Sequence, residues 1–189
     1  MKLIISTPQS KTWMVTDSAD VIRSADKLIL PGVGAFGDAR RKLAETGMDE
    51  LVLQEARNGK PIMGICLGMQ LLFEKGYEYG THDGLGLLNG EVVSMQGVVP
   101  EDYKIPHIGW NGLLFKKENP LFRFIKDGDY VYFVHSYFVK NCEESLLATT
   151  EYGPELTAAV AKGNIYGCQF HPEKSGAVGL NILRGFAEL

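Results

Sequence analysis

Residues 61–75 place the tightest limit on the fold. Pro61–Ile65 is a short apolar run of the kind that forms a buried strand, and Leu67–Lys75 reads as a helix. A strand that enters a helix with almost no loop between them belongs to a layered arrangement of sheet and helices. Lys27–Leu30 is a second such strand, ending at Pro31. It is followed by a helical stretch, Asp38–Asn58, in which Leu43, Met48, Leu51, Val52 and Glu55 carry the spacing and Gly59 is the C-cap. This alternation predicts an α/β fold with a mostly parallel central sheet flanked by helices.

The second half has a different rhythm. Glu91–Met95, Leu113–Lys116, Tyr130–Lys140, Ser145–Thr150, Ala158–Lys162 and Ile165–Phe170 are strand candidates rich in Val, Tyr and Phe, parted by Gly, Asn and Asp. They predict an antiparallel extension of the sheet. A closing helix begins at about Gly176, with Leu180, Leu183, Phe186 and Leu189 assigned to one face. No linker or internal repeat divides the chain, so residues 1–189 are read as one domain.

Gly64-Ile65-Cys66-Leu67-Gly68 spans the junction between strand and helix. It has the form glycine, any residue, nucleophile, any residue, glycine, in which a sharp turn lifts the nucleophile above the sheet. A helix N-terminus beneath the sulfur favours the thiolate, and the N–H of Leu67 becomes an oxyanion donor. A lone cysteine is more often a buried core residue, and the glycine flanks bring the two readings level. His171-Pro172-Glu173 changes the balance. Proline holds His171 extended, and residues two apart in an extended segment face the same side, so the carboxylate can orient the ring and the ring can take the thiol proton. Pro31-Gly32-Val33-Gly34 follows a strand and exposes backbone N–H groups. Val33 and Gly34 are read as the second oxyanion donor. A phosphate cradle is the weaker reading, since no P-loop lysine follows.

Net charge is −4, which gives no footprint for nucleic acid. No apolar run reaches membrane-spanning length and the opening residues are too few for a secretory core, so a cytoplasmic location is expected. The three cysteines are widely spaced and the four histidines scattered. Neither a disulfide framework nor a metal site is expected, and no cofactor.

PGVGAFGDA (31–39), GICLGMQLL (64–72), PHIGWN (106–111), YFVHSY (132–137) and GCQFHPEKSG (167–176) occur in the order seen in class I glutamine amidotransferases. The chain resembles that family, and within it the glutaminase subunits of imidazole glycerol phosphate synthase. The resemblance implies a flavodoxin-like fold and a Cys66, His171, Glu173 triad that releases ammonia from glutamine. It implies glutamine binding by Gly34, Gln70, Glu78, Ser136 and Tyr137, the last two mainly through backbone N–H groups. It also implies a partner, a (β/α)8-barrel cyclase subunit that uses the ammonia to make imidazole glycerol phosphate and an aminoimidazole carboxamide ribotide in histidine biosynthesis. Trp110 and Lys174 match positions that face that partner. Against the family's pattern the first thirty or so residues are shortened by about one helix, with Met1–Ser6 as the first strand and Thr7–Lys11 as a short link. Three alternatives remain open: a paralogue feeding surface-sugar amination, a non-catalytic scaffold subunit, and a stand-alone cysteine hydrolase such as a peptidase.

Overall fold

The computed structural model of the chain describes residues 2–6 and 13–189. At its centre lie three parallel strands, Lys27–Gly32, Ile62–Cys66 and Ile165–Cys168, with Ile62–Cys66 in the middle. Every residue of the middle strand is buried. A strand covered on both faces has no wet side, which is why its sequence is an unbroken apolar run. Pairing becomes antiparallel towards both edges. Leu3–Ser6 and then Trp13–Thr16 continue the sheet beyond Lys27–Gly32. Glu155–Lys162, Leu146–Glu151 and Leu114–Phe115 continue it beyond Ile165–Cys168.

Two apolar layers sandwich this sheet. On one face Leu28, Leu30 and Ile62 pack with Leu43, Leu51 and Val52 from the helices Phe36–Glu45 and Met48–Arg57. On the other, Ile29, Met63 and Ile65 pack with Ile182 and Phe186 of the helix Gly176–Ala187. Leu28 and Ile29 fall in different layers because successive strand side chains point to opposite faces. Two smaller sheets accompany the central one. One pairs Tyr130–His135 with His107–Gly112. The other runs Tyr137–Lys140, Leu88–Ser94, Phe73–Gly76, His82–Asp83.

Several sequence expectations need correction. The stretch 38–58 is two helices, broken at Gly47, whose φ of 65° lies in the left-handed region. Thr46 Oγ1 donates to the Lys42 carbonyl at 2.9 Å and closes the first helix. The helix after Cys66 ends at Gln70, and Phe73–Gly76 is a strand with Phe73 and Gly76 buried and Glu74 and Lys75 exposed. Tyr130–Lys140 divides at Ser136 into two strands that join different sheets. Leu113–Lys116 contracts to a two-residue strand. In the last helix the buried face is Gly179, Ile182, Gly185 and Phe186, while Leu180 is 63% exposed. Leu3–Ser6 does form a strand, but it pairs antiparallel with Lys27–Gly32, and the link assigned to Thr7–Lys11 lies outside the described residues. The strands Trp13–Thr16 and His107–Gly112 and the helix Ala19–Ser24 were not anticipated.

The corrected face of the last helix has a direct consequence. Ile182→Ala is expected to lower unfolding free energy in urea by about 2–5 kcal/mol, the cost of a buried large-to-small change. Leu180→Ala is expected to change it by no more than about 0.5 kcal/mol. A larger loss from Leu180→Ala than from Ile182→Ala would show that the helix docks on the other face.

Candidate active site

The glycines around Cys66 set the local geometry. A Cβ on Gly68 would drive into the Leu30 carbonyl oxygen, and one on Gly64 would come within 2.5 Å of the Met69 Cα. The turn is therefore held by backbone packed against backbone. Within it Cys66 is forced to φ 54° and ψ −115°, a conformation that costs a residue with a side chain about 1–3 kcal/mol and persists only where its surroundings over-determine it. The strand–helix junction read from the sequence is thus a strained elbow with the nucleophile candidate at its apex.

His171 is extended, at φ −99° and ψ 97°, as the following proline requires. Pro172–Lys174 then forms a 3-10 turn rather than continuing extended. The turn, not strand alternation, brings Glu173 back to the ring. His171 Nδ1–H donates to Glu173 Oε1 at 2.7 Å, which leaves Nε2 as the proton acceptor. The backbone of His171 is fixed as well. Its N–H donates to the Tyr132 carbonyl at 2.9 Å and its carbonyl accepts from Ser175 Oγ at 2.6 Å.

Cys66 and His171 line one cavity of about 360 Å³ together with Val33, Gly34, Leu67, Gln70, Glu78, Ser136, Tyr137 and Lys174. The structure therefore gathers almost all the residues singled out from sequence. Gly34 has a φ of 97°, a backbone setting open to glycine, and Val33 beside it is 81% exposed at the cavity mouth. Glu78 also accepts from the Phe36 N–H at 2.7 Å and so anchors the start of a helix. Trp110 does not line this cavity. It lies on the outer strand His107–Gly112, half exposed, packed edge-on against Tyr132. A larger cavity of about 560 Å³ lies behind Pro31–Val33; its walls are chiefly apolar and include His171 and Glu173 but neither Cys66 nor Gln70.

Gln169 was missed by the sequence reading. It is fully buried, accepts from Gln70 Nε2 at 2.9 Å through Oε1, and donates from Nε2 to Cys66 Sγ at 3.7 Å. Its position two residues before His171 on a strand face was the available signal. Gln70 Nε2 donates also to the Tyr137 carbonyl at 3.2 Å, so two amides tie the nucleophile to the 136–137 segment.

The expected thiolate is not the resting state. Burial pushes the Cys66 thiol up to about 11; the hydrogen bond from the Leu67 N–H opposes this, Glu173 adds to it, and Lys174 opposes it. The helix beneath Cys66 is only four residues long. A helix terminus contributes about 0.3–1 kcal/mol, whereas one pKa unit is about 1.4 kcal/mol, so burial wins. Cys66 therefore rests as a thiol, and any nucleophilic role for it would need a base to take its proton.

A family model described as glutamine amidotransferase class-I matches residues 6–188. The chain is 52% identical over 176 residues to the imidazole glycerol phosphate synthase subunit HisH of Caldanaerobacter subterraneus, covering 93% of this chain and 85% of that protein. It is 49% identical over 174 residues to the HisH subunit of Aquifex aeolicus, covering 92% and 82%. Among solved structures, a glutamine amidotransferase superimposes with a TM-score of 0.68 at 19% identity, covering 92% of this chain and 85% of that one. PurLQS from Thermotoga maritima superimposes with a TM-score of 0.65 at 21% identity, covering 87% and 80%. At such identities these two likenesses concern the fold alone.

The resting protonation of Cys66 can be read by alkylation. Iodoacetamide labelling of the peptide containing Cys66 is expected to accelerate with pH up to a midpoint near 11, since the raised pKa withholds thiolate below it. A plateau already reached at pH 7 would show a resting thiolate and a different balance of forces.

Proposed function

The chain belongs to the class I glutamine amidotransferases, among the HisH subunits of imidazole glycerol phosphate synthase, and from that premise we propose that it hydrolyses glutamine and delivers the ammonia to a cyclase subunit in histidine biosynthesis. The observation that carries the reading is the shared cavity of Cys66 and the His171–Glu173 pair, in a chain half identical to HisH proteins along nearly its whole length.

The chemistry follows from the geometry. His171 Nε2 takes the proton from Cys66 as the sulfur attacks the side-chain amide carbon of glutamine. Glu173 stabilises the imidazolium so formed. The carbonyl oxygen becomes an oxyanion, held by the N–H of Leu67 and by N–H groups of the Val33–Gly34 loop, a contribution worth about 3–4 kcal/mol per donor in comparable sites. His171 returns its proton to the leaving nitrogen, the C–N bond breaks, and ammonia departs from a glutamyl thioester. Water deprotonated by His171 then hydrolyses the thioester to glutamate and regenerates the thiol. In this reading Gln70, Glu78 and the 136–137 backbone hold the amino-acid end, while Gln169 keeps the sulfur and Gln70 in register.

Ammonia protonates in water near neutral pH, so a closed passage to the acceptor site is useful, and a (β/α)8-barrel cyclase subunit is the partner proposed to supply it. Val33 at the cavity mouth, Lys174 on the His171 turn and the outward-facing Trp110 are the side chains proposed to face that partner. The strained Cys66 and the oriented His171 ring on one cavity support this over a scaffold role, which has no use for either.

Cys66→Ala is expected to lower glutamate release by about a thousandfold or more, as loss of a nucleophile does, with an unchanged circular dichroism spectrum. Glutamate release by the intact chain is expected to rise when a cyclase subunit and its nucleotide substrate are added. An alanine variant that retains more than a small fraction of the activity sinks the triad. Hydrolysis indifferent to the cyclase points to another partner.

A further inference from the structure

A buried polar chain runs from one backbone carbonyl to another beside the cavity. His135 Nδ1 lies 2.8 Å from the Tyr137 carbonyl oxygen. His135 Nε2 faces His107 Nδ1 at 3.1 Å. His107 Nε2 lies 2.8 Å from Asn111 Oδ1, and Asn111 Nδ2 donates to the Glu151 carbonyl at 3.0 Å. Both ends are acceptors. The four links between them require four hydrogens. Two neutral imidazoles bring one each, and the Asn111 amide brings one to the Glu151 link. One link is left without a hydrogen, and turning a ring or the amide only moves the gap along. With the rings in the tautomers their outer partners demand, the gap falls at the N···N contact, where two lone pairs would face each other in a place closed to water: His107 is wholly buried and His135 nearly so.

A second, independent feature favours an added proton there. The His107 ring is stacked between Phe133, at 4.9 Å and 19°, and Tyr152, at 3.9 Å and 21°. Two π-faces stabilise a cation between them. Burial acts against charge on either ring. It lowers His107 and, with repulsion from His107 and His171, brings His135 down to about 4. The rings titrate as one unit in two steps. Burial and mutual repulsion exclude the second proton, while the unfilled link and the flanking rings hold the first.

Resting on the glutaminase reading, we propose that His107 and His135 share one proton between their inner nitrogens, and that this charge is the positioning partner of the substrate's α-carboxylate. The cavity's other charges are already disposed for an amino acid. Glu78 supplies a negative wall suited to an ammonium group. Lys174 is on the turn that carries His171, and its field reaches the Cys66 sulfur, so it serves the reacting end. His171 and Glu173 are engaged with each other, and Cys66 is a thiol. Burial, with Glu78 and Tyr79 beside it, raises the Tyr137 hydroxyl above its ordinary range, so it carries no charge near pH 7. That leaves His135, which lines the cavity next to Ser136 and Tyr137, as the positive group beside the segment expected to hold the carboxylate. The same ring holds the Tyr137 carbonyl that Gln70 also grips, so charge and backbone direction are set together.

The test has two readouts on the full chain. Histidine-selective ¹⁵N NMR near neutral pH is expected to show three ring N–H protons on the pair, the shared one far downfield; a count of two overturns the proposal. In His107→Gln the new amide can donate to His135 without bringing charge. Its KM for glutamine is expected to rise about tenfold or more with kcat within about twofold. The wild-type KM is expected to climb as pH rises through the loss of the shared proton, and the variant to lack that step. A variant with unchanged KM and the same pH profile overturns the carboxylate role. If the wild-type chain releases no glutamate while the count of three holds, the glutaminase reading falls with that role and the shared proton stands.

Discussion

The site depends on one close approach: the backbone of Gly68 lying directly against the Leu30 carbonyl of the neighbouring parallel strand. Because no side chain stands between them, the helix start can sit on the strand ends, and the chain must turn at Cys66 within a single residue. The positive φ of Cys66 follows from this, and so does the position of its sulfur above the sheet. The parallel register brings Gly32 level with Cys66, which delivers the Val33–Gly34 loop to the same edge. The proposed nucleophile and oxyanion loop are therefore placed by one packing constraint, and the third parallel strand brings in Gln169 and His171 just beyond its end.

Burial then sets the chemical states. It would leave an unassisted Cys66 inert, because the four-residue helix beneath it is too weak to hold a thiolate. The reactivity has to come from His171, whose orientation is secured twice: by Glu173 at the ring and by Tyr132 and Ser175 at the backbone. The same low dielectric makes an incomplete hydrogen-bond chain at His107 and His135 expensive. A buried nucleophile and a buried histidine pair are two results of one dry environment, one raised towards neutrality and the other short of a hydrogen.

Much of this was legible in the sequence, for physical reasons that differ by residue. Cys66 and its glycines announce themselves because a backbone-to-backbone approach tolerates nothing else. His171 and Glu173 are legible because a proline fixes their relation locally. Gln169 was not, since a buried amide looks like any polar residue in a strand until its long-range partners Gln70 and Cys66 are known. The histidine chain was hidden for the same reason: His107 and His135 lie 28 residues apart in sequence and meet only through strand pairing. Helix limits failed where apolar spacing ran on through a break. Gly47 reverses the backbone between two helices that bury the same side, and the run Leu71–Phe73 keeps its apolar character while changing from helix end to strand.

The edge of the sheet shows how little of the fold the site requires. Leu3–Ser6 and Trp13–Thr16 form a hairpin that extends the sheet antiparallel, leaving Trp13, Met14 and Val15 exposed. An exposed apolar edge strand is a liability in an isolated chain. Yet among the described residues none before Val33 lines the cavity around Cys66. The groups that fix the elbow belong to the strands Lys27–Gly32 and Ile62–Cys66, and those that fix His171 belong to Tyr130–His135 and the start of the last helix. The opening strands instead line the larger apolar cavity behind the Pro31–Val33 loop, where Ile4 and Trp13 share the walls with His171 and Glu173. Variation at this edge therefore reaches the outer side of the His171–Glu173 pair, while the elbow at Cys66 is held by the interior strands.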